Sequence, residues 1–257
     1  MTARDVALWP WEKLVYVDMK TRRAKVHLDS LQTELDAWLV KPYFVSEYTD
    51  FDNVLHVFHI ELAGMRDIIP MLVGDYVSCL RAALDQLAWH LAHLPTPART
   101  FTDREERRIH FPIAKVNDAT YVSLRELFPP TVASIMDTLQ PYLRGSAYRD
   151  DPLWQLNELW TMDKHRVIPM NANSLQVQFP MADWTRFMKH LDHGIEVKFP
   201  LRYAWLHQSC ADLKPRVSVE VLFGEHMGSF EISRHRLTEI YNFVRYDVIP
   251  KFAGFFS

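Results

Sequence analysis

Glycine is scarce in this chain, at 7 of 257 residues. That argues against sandwiches and repeat arrays, which rely on many tight glycine turns. Cysteine is scarcer still. Cys79 and Cys210 are the only two, too few for a disulfide scaffold and compatible with a reducing compartment, so a cytoplasmic location is expected. The formal net charge is only -3, so no global positive field gathers nucleic acid or anionic membrane, and any anion must be met locally. No apolar run reaches the roughly 18 residues of a membrane span. The stretch Met1 to Lys13 sets Arg4, Asp5, Glu12 and Lys13 around Trp9 and Trp11, without the apolar core or cleavage pattern of a signal peptide. No membrane partner is expected. A Gly-rich phosphate loop, a Gly-x-Ser-x-Gly elbow and a Cys-x-x-Cys pair are also missing.

What is present is apolar and aromatic mass. At 48% hydrophobic and 13% aromatic residues, the chain can bury a sizeable core as one large domain or two small ones. Ala24, Leu28, Leu31, Leu35 and Trp38 recur at steps of four and three, which predicts an amphipathic helix from Trp11 to Leu39, stopped by Pro42. Tyr43 to Tyr48 and Val54 to Leu62 read as a hairpin around the polar turn Thr49 to Asn53. Pro70 then opens a second helix that runs toward Pro95. On it Val73, Tyr76, Leu80, Leu84, Leu87 and Leu91 fall close to one line and predict the core face. The opposite line holds Ser78, Ala82, Asp85 and Trp89, so a second layer over that side is expected.

Thr96 to Arg108 reads as a charged loop, after which His110-Phe111-Pro112-Ile113 re-enters the core. Short helices follow at Tyr121 to Phe128 and Thr131 to Leu139. Asp150-Asp151-Pro152 then starts a helix that ends in Asp163-Lys164-His165-Arg166. Beyond Pro169, strands are predicted at Ser174 to Phe179, Ile195 to Phe199, Val217 to Phe223 and Ser229 to Ile232, with a helix from Ala182 to His193. Ser233 should cap a closing helix that lasts until Pro250. The expected fold is α+β: a helical half with a β-hairpin (about 1-169), then a small, mostly antiparallel sheet and a C-terminal helix (about 170-257), in a single domain.

Asp163 is the most informative position. Its helical phase places it among Leu156, Leu159, Trp160 and Val167, and a carboxylate aimed at a core needs a partner, a proton or a cleft. Arg81 and Asp85, one turn apart on the second helix, are its expected neighbours. An Arg fork and an imidazole suit a phosphate or carboxylate ligand. The catalytic candidates are therefore His165 as acid/base, Arg81 and Lys164 stabilising negative charge, and Asp85 or Asp163 orienting the imidazole, with Arg166 and Gln86 at the ligand. The plain structural alternative is an Arg81 to Asp163 ion pair joining two helices.

Histidines spaced by three, at His56 and His59, His90 and His93, and His190 and His193, are expected to reflect abundance rather than ligation, because no third ligand accompanies the helical pairs. No metal and no cofactor is expected. The basic runs Lys20 to Lys25 and Arg104 to Arg108 read as solvated faces.

The segments Gly74-Asp75, Leu80-Arg81-Ala82-Ala83-Leu84-Asp85, Phe111-Pro112-Ile113, Gln140-Pro141-Tyr142 and Asp163-Lys164-His165-Arg166 resemble an uncharacterised group of bacterial and phage proteins. The hairpin beginning Lys41-Pro42-Tyr43 fits as well, and the shared order spans roughly residues 11 to 170. The resemblance implies no activity. In that group the position of Gln86 is often His, so that the arginine and histidine together resemble the motif of HEPN-type ribonucleases. Here glutamine cannot exchange that proton, and the hairpin is foreign to an all-helical HEPN bundle.

Three functional classes are thus left open: metal-independent phosphodiester or phosphoester hydrolysis, a non-catalytic binding or interaction protein, and a metal-dependent enzyme using Asp85, Asp163 and His165. The expected partner is an anionic small molecule or RNA, and self-association is left open.

Overall fold

The computed structural model describes residues 11–41, 43–49, 55–94, 99–178, 194–197, 201–207, 216–225 and 230–256. The architecture is α+β. Its elements are α1 (Trp11–Leu39), the hairpin β1 (Tyr43–Thr49) and β2 (Leu55–Leu62), and α2 (Ile68–Ala92). Next come three short helices, α3 (Asp103–Glu106), α4 (Ala119–Arg125) and α5 (Pro130–Asp137). A 3-10 stretch over Pro141–Asp150 then leads into α6 (Pro152–His165). Strands β3 (Met170–Gln178), β4 (Gly194–Val197), β5 (Leu201–His207), β6 (Arg216–Glu225) and β7 (Phe230–Ser233) follow, and α7 (Arg234–Asn242) continues through a π-helical turn to Val248. The expected helix Ala182 to His193, with its histidine pair, and Cys210 lie outside the described residues.

The chain forms two compact units that interleave along the sequence: residues 1–31, 70–168 and 234–257 in one, and 32–69 and 169–233 in the other. The second unit carries two antiparallel sheets, of strand order β1-β2-β5-β4 and β3-β6-β7. β5 is an interior strand with no counterpart among the strands expected from the sequence. It pairs with β2 from Leu55↔His207 to Glu61↔Leu201 and with β4 from Gly194↔Trp205 to Val197↔Arg202, so it ties the early hairpin into a sheet shared with the later strands. Gly224 in β6 has φ 127, and a Cβ there would lie 2.2 Å from the Phe230 carbonyl oxygen, so this tight start of the β6–β7 pairing requires glycine.

In the first unit α2 is the central helix. All six residues expected on its core face, Val73, Tyr76, Leu80, Leu84, Leu87 and Leu91, are fully buried. The C-terminal segment supplies Leu237, Ile240, Val244, Val248 and Phe252 to the buried set, and the Tyr76 hydroxyl donates to the Leu237 carbonyl at 2.6 Å. Burial raises the Tyr76 pKa well above the usual phenol range, so it stays a neutral donor. On the other side of α2, Ser78, Ala82 and Asp85 are half-covered, but Trp89 is 42% exposed, so the expected second layer does not extend to the end of the helix. A buried polar knot also involves the N-terminal helix. Arg245, in the π-helical turn, donates to Asp18 Oδ1 at 2.9 Å and to the Thr21 hydroxyl at 2.6 Å, which neutralises a carboxylate 4% exposed.

Where the sequence suggested a charged loop, Thr102 caps α3. Its hydroxyl accepts from Glu105 N while the Glu105 carboxylate accepts from Thr102 N, a complete capping box in Thr-x-x-Glu spacing. Asp151 caps α6 as expected. Its Oδ1 accepts from Leu153 N at 2.9 Å, and its Oδ2 is met by Arg144 at 2.7 Å.

Candidate functional site

Gly74, Ser78, Arg81 and Asp85 follow one another at helical steps of four, three and four, and so share one face of α2. Asp163 of α6 reaches the lower part of this face. Its carboxylate sits over Gly74, where a Cβ would lie 2.2 Å from Oδ1, and Ser78 Oγ donates to Oδ2 at 3.2 Å. A side chain at position 74 would have to displace this carboxylate, which fills the space. The expectation that Asp163 turns inward holds, but the expected ion pair with Arg81 is absent among the described residues. Asp163 is answered by a hydroxyl and a glycine notch instead.

Arg81 serves a different structure. It is 2% exposed, its Nη2 donates to the Phe111 carbonyl at 2.8 Å, and the same nitrogen lies 3.0 Å from Asp85 Oδ1. Asp85 Oδ1 in turn accepts from Phe111 N at 3.0 Å. The pair therefore clamps both backbone groups of one residue, an arrangement possible because positions 81 and 85 stack one turn apart. Burial lowers the Arg81 pKa, with the Asp85 carboxylate opposing the shift. Two guanidinium nitrogens, Nε and Nη1, are buried without an acceptor among the described residues. The guanidinium carbon lies 5.0 Å from the centroid of the Trp160 ring, and Lys164 Nζ lies 3.3 Å from the same ring, so one indole faces two cations.

Gln140 completes the clamp from the end of α5. It is 1% exposed, accepts from Ala114 N through Oε1 at 2.9 Å, and donates through Nε2 to Pro112 O and Met136 O, each at 3.0 Å. Tyr142 N adds a bond to Ala114 O at 3.2 Å. Sequence segments far apart in the chain thus converge on one stretch, Phe111 to Ala114, and pair the backbone groups of Phe111, Pro112 and Ala114.

That stretch walls an open cleft of about 250 Å³. Pro112, Ile113, Val116 and Leu124 give the cleft its apolar lining, and His110, Lys115, Asp118, Thr120 and Tyr121 its polar one. Part of this polar capacity is already committed. Asp118 Oδ1 caps α4 by accepting from Tyr121 N at 2.9 Å, and the Tyr121 hydroxyl donates to Asp137 Oδ1 at 2.6 Å. Burial and that bond raise the Tyr121 pKa far above the usual phenol range.

His110 keeps a ring nitrogen for a ligand and is half-buried, whereas Lys115 and Thr120 are exposed. Its Nδ1 lies 2.8 Å from the Arg108 carbonyl, and a carbonyl only accepts, so Nδ1 carries the proton and Nε2 keeps a lone pair. Nε2 has no hydrogen-bond partner among the described residues. The His110 pKa is lowered, first by burial and then by the Arg81 charge, with Asp85 and the Arg108 carbonyl opposing and the Arg108 charge adding to it. The imidazole is therefore neutral at pH 7.

The remaining expected site residues do not gather here. His165, Lys164 and Arg166 are exposed at the end of α6, and among the described residues no hydrogen bond or ion pair orients the His165 ring. Gln86 is half-buried, with its Oε1 unpartnered among the described residues. Asp85, Asp163 and His165 do not form a metal set, and no group of three or more His, Cys, Asp or Glu with that capacity occurs among the described residues. A second cleft, about 350 Å³, is lined in part by Arg99 and Arg125, but these are paired with Glu105 and Asp137 at 2.7 and 2.8 Å. Comparison with protein-family models, with curated proteins and with solved structures returns no match. Among the described residues no helix is long and apolar enough to cross a membrane.

Sequence reasoning passed over His110 because it was read only as the first residue of a core-entering segment. A usable signal existed: a histidine directly before an apolar Phe-Pro-Ile run sits at the rim of whatever that run builds.

Proposed function

We propose that the protein acts by binding a small ligand in the cleft beside the 110–116 segment, with His110 as the polar anchor and Arg81, Asp85 and Gln140 as the framework that fixes the wall. The carrying observation is the convergence of three buried or half-buried side chains on the backbone of Phe111 to Ala114. A loop held this firmly is a preorganised wall, which spares a ligand the cost of ordering it. The polar cluster expected to be catalytic is, in this reading, architecture. The test is a fragment screen observed on backbone amide resonances of the intact chain. Binding at the cleft shifts residues 110 to 124 together, and Leu124→Trp, which fills the space, abolishes those shifts. Hits that perturb only other regions would remove the proposal.

A second reading keeps anion recognition with metal-independent phosphodiester or phosphoester cleavage. Its support is the unpartnered Nε and Nη1 of buried Arg81, with Lys164 on the same indole. It has less support for chemistry, since a general acid/base needs an oriented ring and His165 has no orienting partner among the described residues. Equal phosphate affinity in the native protein and in Lys164→Ala would remove Lys164 from this reading, and phosphate failing to bind the native protein would end it.

A further inference from the structure

Resting on the cleft reading above, we infer that the ligand is a small, neutral, largely apolar molecule, about one six-membered ring in size, bearing a single hydrogen-bond donor that meets His110 Nε2. The size follows from the volume. An apolar cavity of about 150 Å³ admits benzene, so the 250 Å³ of this cleft holds one ring with a substituent. The apolar character follows from the Pro112, Ile113, Val116 and Leu124 surfaces.

The donor follows from the fixed tautomer. With Nδ1 held on the Arg108 carbonyl, the nitrogen left for the cleft can only accept while the ring is neutral. The charged groups around the ring act on it in opposite senses. Arg81 from α2 and Arg108 from the preceding loop disfavour a second proton, and Asp85 from α2 favours it. Burial decides the balance toward the neutral ring. An anionic ligand would gain from a protonated imidazole, which this environment resists, and Lys115 and Asp118, the charged residues of the lining, are of opposite sign. A hydroxyl or ring N–H gains from the lone pair as it stands.

Four matched probes separate the possibilities on the intact chain: phenol, anisole, benzoate and benzylamine, each titrated while the 110–124 amide resonances are followed. Phenol and anisole share the ring and differ in the donor. The expected result is that phenol binds at least about tenfold more tightly than anisole and that His110→Phe removes the difference. Phenol binding should also weaken as the pH falls and Nε2 takes up a proton. Equal binding of phenol and anisole would overturn the donor while leaving the cleft as a site. Tightest binding by benzoate or benzylamine would overturn the neutral class. If none of the four perturbs the cleft residues, both the inference and the binding reading fall.

Discussion

Replacing Gly74 by alanine sets two effects of opposite sign against each other. In a helix interior the change should stabilise, by about 0.5–1 kcal/mol, through reduced backbone freedom in the unfolded chain. Here the new methyl would sit 2.2 Å from Asp163 Oδ1 and 3.0 Å from its Cγ. The carboxylate has to leave. It then gives up the Ser78 hydroxyl, a hydrogen bond to a charged group worth about 1.5–3 kcal/mol. The loss exceeds the gain, and Gly74→Ala should destabilise the protein by about 1–2 kcal/mol. With Asp163→Ala already in place the clash is gone and only the propensity remains, so the same substitution should stabilise by about 0.5–1 kcal/mol. Urea denaturation of the native chain, both single variants and the double variant closes the cycle. The decisive feature is the change of sign. Should Gly74→Ala stabilise both backgrounds alike, the carboxylate swings aside at no cost and the glycine notch is not the reason for glycine at this position.

Four further outcomes follow from the same geometry. Asp85→Ala strands a 2%-exposed guanidinium and the Phe111 amide together, and should cost about 3–5 kcal/mol in denaturation, as for other broken buried pairs. Asp163→Asn should cost less than about 1 kcal/mol, because the amide oxygen can still accept from Ser78 and Arg81 keeps its own acceptors; a loss as large as that of Asp85→Ala would restore the Arg81 to Asp163 pairing. Gln140→Leu leaves Ala114 N and the Pro112 and Met136 carbonyls without their partner, and should destabilise by about 2–4 kcal/mol while hydrogen exchange of the Ala114 amide accelerates. The His110 pKa is lowered in the folded state, so the unfolded chain binds the proton first. The contribution of His110 is complete above its unfolded value of about 6.5 and is lost as the pH falls from there through the folded-state pKa. The native protein should lose stability in that window relative to His110→Gln, and equal slopes would show that the ring is not held neutral.

Much of the fold was legible because it is written in periodicity. The α1 and α2 stripes and the Asp151-Pro152 helix start depend on residues within a few turns of one another, and each matches the described structure. The β5 strand was missed because Leu-Arg-Tyr-Ala-Trp-Leu-His has no β-branched residue and directly follows Pro200. Its stability comes from pairing on both edges, with β2 and β4, which no local pattern records. The candidate site was half legible. Burial of Arg81 and the inward turn of Asp163 follow from helical phase, but their partners do not. Arg81 chooses a backbone carbonyl 30 residues along the chain over the carboxylate that sequence reasoning assigned to it. Backbone acceptors have no residue type, so a pattern of side chains cannot announce them.

His110 offers a bare ring nitrogen to a ligand in the cleft. Long-range proton–nitrogen correlation spectra of the histidine side chains at pH 7 test it most directly, since they separate the two neutral tautomers from the imidazolium. The expected spectrum shows a neutral His110 ring with its proton on Nδ1 and a bare Nε2 that shifts when phenol is added. A ring protonated on Nε2, or charged at pH 7, would contradict it.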